Sequence, residues 1–186
     1  MNGLLRTLEE FDIGLFNSLI DEYLKESQKV KDKSIYLLIG PTGAGKSTTL
    51  HYLAGSTMKL EKITGVLNHI TFDKLGPNVT NQNELKDVKI SGEMISCTRF
   101  IKAIEFMEDG EKYTICDSPG VDDTRGPELD VANMYGVVMA ARGCHNILPI
   151  IVLSQNGMGL RGSGLKKISK SISGFFKNIK QDVSSF

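Results

Sequence analysis

The chain has 186 residues, with 22 basic and 22 acidic side chains, 40% hydrophobic residues and 24% charged ones. This is enough for one domain with a sizeable core, and its average composition excludes a disordered or low-complexity chain. A formal net charge of zero gives no global attraction to nucleic acid or anionic lipid, so no nucleic-acid partner is expected.

In chain order, Leu4, Leu8, Phe11, Leu15, Leu19 and Tyr23 recur at helical spacing and predict an amphipathic helix over residues 3–24. Residues 25–33, KESQKVKDK, read as a polar linker, so residues 1–33 form a helix-and-linker unit ahead of a main domain at 34–186. Ser34 to Gly40 is a short apolar run ending in a glycine turn, which predicts a buried strand. A helix is expected from Thr48 to Ala54, with Gly55 as its stop. Residues 56–95 read mostly as loop, apart from a short strand at Asn68–Phe72. Arg99–Phe106 and Lys112–Cys116 flank an Asp109-Gly110 turn and predict a hairpin. Glu128–Arg142 reads as helix and Asn146–Leu153 as a further strand, whose free edge would suit addition of a partner's strand. Gly157–Gly164 is a glycine-rich loop, and Leu165, Ile168, Ile172, Phe175, Phe176 and Ile179 share one helical face.

Three cysteines (Cys97, Cys116 and Cys144) without a CxxC pair argue against a disulfide scaffold or zinc site and favour a reducing compartment. The longest apolar run, Ile147–Leu153, is too short to span a bilayer. The sequence begins without a signal-peptide pattern, so a cytoplasmic location is expected. His51, His69 and His145 are too scattered for a metal site, and His51 is expected to be partly exposed on its helix.

The chemistry concentrates at Gly40-Pro41-Thr42-Gly43-Ala44-Gly45-Lys46-Ser47, which fits GxxxxGK[ST] without a mismatch and leads into Thr48. Successive amides of a glycine loop can converge on one anion, and the helix that follows adds its positive end. Lys46 would reach the outer phosphates and Ser47 would ligate Mg²⁺. Downstream, Asp117-Ser118-Pro119-Gly120 ends a predicted strand. An acid there can hold Mg²⁺ directly or through water, and the Gly120 amide can donate to a terminal phosphate.

GPTGAGKST, SCTR and ICDSPGVDDTRG, in that order, resemble the GTP-binding domain of septin-like, immunity-associated and plastid import-receptor GTPases. The resemblance covers residues 34–155 and implies a three-layer α/β/α sandwich of the P-loop type, mostly parallel, with an antiparallel edge hairpin. It also implies GTP and Mg²⁺ as ligands, Thr98 as a switch residue closing on Mg²⁺ with Ser96 as fallback, and assembly with a second copy or partner protein across the nucleotide. Ser118 stands where that family has threonine, and an Asn/Thr-Lys-x-Asp base-reading motif is absent. The sheet is expected to have four central strands rather than six, leaving the domain short at its C-terminal end.

Val121 occupies the position where Ras-like proteins carry a water-orienting glutamine, so hydrolysis is expected to be slow. Asp122, Asp123 and Arg125 share that segment; Arg125 reads as a solvated loop charge ahead of an arginine finger. From Arg161 to Lys180 there are six basic residues and no acid. Such a helix can lie on a membrane, but a sheet-covering role is the preferred reading. The expected function is a GTP-binding switch or assembly module. The rivals are an ATP-binding protein of the ABC kind, against which the lack of an LSGGQ-like signature counts, and a catalytically inactive nucleotide-binding module.

Overall fold

The computed structural model describes residues 11–62, 68–90, 101–120, 127–154, 165, 166 and 169. The expectations at Ser96, Cys97, Thr98, Val121, Asp122, Asp123, Arg125, the glycine-rich loop 157–164 and most of the basic tail lie outside the described residues.

Helix α1 (Ile13–Gln28) starts at Asp12, whose Oδ1 accepts the Leu15 amide at 2.8 Å, satisfying one otherwise unpaired first-turn donor. The helix continues past the expected end at residue 24. Lys25, Glu26 and Gln28 are good helix formers, and Lys29 pairs with Glu26 at 2.8 Å. The supposed linker also holds Val30, which is fully buried. Polar neighbours in sequence hid a core residue.

Strand β1 (Ser34–Ile39) leads into helix α2 (Lys46–Leu53), after which Gly55 takes a left-handed φ of 79°. Strands β2 (Thr57–Glu61) and β3 (His69–Lys74) form a separate antiparallel ribbon. A short helix, α3 (Gln82–Lys86), follows, its N-cap supplied by Asn81. The expectation of loop across residues 56–95 therefore fails at β2 and α3. β2 buries little of itself, so no alternating apolar pattern marks it, and α3 is only five residues long.

Strands β4 (Lys102–Glu108) and β5 (Glu111–Asp117) make the hairpin. Asp109 and Gly110 both have positive φ, 51° and 82°, as a tight turn matching the strand twist requires. Helix α4 (Pro127–Gly143) and strand β6 (Asn146–Ile151) follow. The sheet order is β4-β5-β1-β6, with β1 parallel to β5 and β6 and β4 antiparallel at one edge.

Alternation along β1 builds two cores. Ile35, Leu37 and Ile39 join Val30, Val137 and Ala140 on one face. Leu38 joins Leu50, Ala54, Leu85, Val88, Ile104 and Ile115 on the other. Helices thus cover both faces of a mostly parallel sheet, the α/β architecture of P-loop NTPases. On the first face α1 packs along α4, through Leu19, Tyr23 and Ala132. β6 is an edge strand among the described residues. Because the Val152 amide bonds Ile39, alternation turns Pro149 toward the free edge, where its missing N–H leaves no ladder bond unmade.

Candidate functional site

The parallel register fixes the site's location. Leu38 of β1 lies beside Asp117 of β5, so the loop after β1 and the loop after β5 leave the sheet side by side at its carboxyl edge. This is where open α/β sheets present ligand-binding loops. On the other flank, the Val152 amide donates to Ile39 at 2.8 Å. A Cβ at Gly40 would overlap the Val152 carbonyl oxygen, so residue 40 must be glycine for β6 to close against β1.

The loop turns through Gly43 and Gly45, whose φ values of 75° and 95° lie in the left-handed region. Gly45 is the N-cap of α2, and Lys46 and Ser47 begin its first turn. Thr48 stands half-buried in the same turn. The helix therefore starts two residues earlier than the sequence reading had it, with its amide end directed at the loop it follows. Ala44 closes the bend through a bond from its amide to Pro41 O at 3.2 Å.

Lys46 is 7% exposed, and its Nζ donates to the carbonyls of Gly40 and Pro41 at 3.0 Å each. Burial pushes its pKa down, while the nearby Asp117 carboxylate pushes it up. A buried ammonium held mainly by neutral carbonyls gains strongly from an anion placed beside it. Next to it, Ser47 Oγ donates to Asp117 Oδ2 at 2.6 Å, and Asp117 is fully buried. A hydroxyl and a carboxylate in contact form a hard-oxygen corner of the kind Mg²⁺ uses, in which substrate phosphates and water complete the shell. Among the described residues there is no cluster of three or more His, Cys, Asp or Glu side chains able to hold a metal.

Ser118, which differs from the resembled family's threonine, donates its hydroxyl to Leu38 O at 2.6 Å in a buried position. That bond clamps the start of the second loop to β1. Two residues on, Gly120 backs onto Thr42: a Cβ there would overlap Thr42 Oγ1 and stand 2.7 Å from Thr42 N. The structure thus brings Gly40, Pro41, Thr42, Gly43, Ala44, Gly45, Lys46, Ser47, Thr48, Asp117 and Gly120 to one end of the sheet. Thr98 lies outside the described residues.

His51 corrects its expected exposure, being fully buried. Its Nε2 bonds Val88 O at 2.7 Å, its Nδ1 lies 3.3 Å from Ser56 Oγ, and its ring stacks on Phe72 at 4.2 Å. It ties α2 to β3 and to the end of α3. Its place beside Leu50 on α2 gives only a faint sequence signal, because its hydrogen-bond partners Ser56 and Val88 lie in a stretch without a readable pattern.

No family model matches the chain. It is 30% identical over 129 residues to the flagellar biosynthesis protein FlhF of two Helicobacter pylori strains, J99 and 26695. The matched region covers 69% of this chain but 28% of each relative. The chain thus spans well under a third of the curated relatives it matches. The fold and the loop fit a nucleotide-binding P-loop protein. Among the described residues, no helix is long and apolar enough to cross a membrane.

Proposed function

We propose that the chain is a GTP-binding protein that hydrolyses the nucleotide slowly and uses its state as a switch or for assembly. The observation that carries this reading is the buried Lys46 ammonium beside the Ser47–Asp117 pair, at the carboxyl ends of adjacent parallel strands. In this reading residues 40–48 surround the phosphates, donating through their backbone amides except at Pro41, which has no N–H; Lys46 neutralises the outer phosphates, and Gly120 contacts the terminal one. Ser47 and Asp117 fit Mg²⁺ by donor type, and Thr98 is the switch ligand; the ion supplies charge neutralisation to the phosphate chain. Residues 34–186 act as the nucleotide-binding domain in the cytoplasm, with residues 1–33 appended to it.

The guanine preference rests on the likeness to septin-like GTPases, as does assembly across the nucleotide face with a second copy or another protein. Membrane contact through the basic tail is not part of this reading. Slow turnover follows from Val121, which has no group to orient water.

Competition titration of GTP against ATP, with Mg²⁺, on the full chain and on Lys46→Ala tests this. GTP is expected to displace a fluorescent nucleotide more strongly than ATP, and the variant to lose most binding while remaining folded. Equal affinity for the two bases removes the guanine preference but keeps the nucleotide site. Unchanged affinity in Lys46→Ala refutes the site.

A further inference from the structure

Thr42 stands on the seam between the two loops of the site. Its Oγ1 is buried and has no hydrogen-bond partner among the described residues. The neighbouring loop meets it closely, since a Cβ on Gly120 would overlap that oxygen and lie 2.8 Å from Thr42 Cα. Immediately before it, the Gly40 and Pro41 carbonyls are occupied by Lys46 Nζ. Buried hydroxyls in folded proteins are nearly always bonded, and an exception calls for an explanation. A side chain without a polar atom would fill the same space without that penalty.

We infer that Thr42 is a specificity-determining residue whose hydroxyl donates to the terminal phosphate of a nucleoside triphosphate and so separates triphosphate from diphosphate. The inference rests on the nucleotide-site reading above and adds a residue that discriminates the phosphate state. Threonine supplies a donor at the point where the loop meets Gly120, the side on which a terminal phosphate would enter. A bond from a neutral hydroxyl to a charged acceptor is stronger than one between neutral groups. A diphosphate, lacking the terminal group, leaves the hydroxyl as it is in the free protein.

The test is calorimetric titration of the full chain, Thr42→Val and Thr42→Ser with GDP and a non-hydrolysable GTP analogue in Mg²⁺, repeated with the adenine pair. Thr42→Val is expected to weaken the triphosphate analogue by about tenfold or more, and to leave the diphosphate within about twofold. Thr42→Ser should keep the wild-type ratio. Without ligand, Thr42→Val should melt at or above the wild-type temperature, because the oxygen it removes has no partner among the described residues. Equal loss on both nucleotides, or no loss on either, overturns the role of Thr42 while leaving the nucleotide site in place. Wild-type protein that binds neither nucleotide overturns the site and this role together.

Discussion

Gly136 sits in the middle of α4, where helix propensity alone favours replacing it. Gly→Ala inside a helix is worth about 1 kcal/mol of stability. The tertiary structure opposes this. A Cβ at Gly136 would overlap Tyr23 Cδ1 and lie 2.5 Å from Cε1 and 2.7 Å from Cγ. The ring has little room to withdraw, since Tyr23 is 2% exposed and its hydroxyl bonds Asn133. Overpacking of this kind costs about 1–3 kcal/mol; with direct ring overlap the upper end applies. Gly136→Ala should therefore lose about 2 kcal/mol net. Urea unfolding measures it, and a double-mutant cycle isolates the cause. In a Tyr23→Ala background the clash is gone, so the same substitution should stabilise by about 1 kcal/mol, a coupling near 3 kcal/mol. A Gly136→Ala protein as stable as wild type, or an equal change in both backgrounds, would refute the packing of α1 on α4 through this pair.

Two further outcomes follow from buried contacts. Burial holds the His51 pKa below its ordinary value of 6.5. Its contribution to stability is thus complete above about pH 6.5 and is lost as pH falls through the folded value, because the unfolded chain takes up the proton first. The urea midpoint should drop between pH 7.5 and 5.5, with a slope of at most about 1.4 kcal/mol per pH unit from this group. His51→Gln should flatten that dependence, and an unchanged profile would sink the assignment. Gly40→Ala places a methyl group on the Val152 carbonyl oxygen. It should lower the melting temperature and weaken nucleotide binding together; unchanged values in both would contradict the closeness of β6 to the phosphate loop.

The fold class was legible because its signals are local. The run SIYLLI, buried on both faces, reads as a parallel strand, and Asp109-Gly110 sets its own hairpin. The loop at residues 40–47 was legible for a related reason. Its proposed chemistry belongs mostly to backbone amides, and glycine spacing is what frees them. Other features had no local signature. β2 and α3 bury too little to create a period, and Val30 reached the core only because α1 outran its expected end.

By itself, then, the sequence determined the strands of the main sheet and the helices α1, α2 and α4, though not β2 or α3, and which loop can receive an anion, since these follow from neighbours within a few residues. Tertiary structure alone decided that His51 is buried, that Ser47 meets Asp117 across 70 positions, and that Thr42 faces Gly120. Those contacts join residues far apart in the chain. Their existence depends on strand order and register, which bring distant loops to one edge of the sheet.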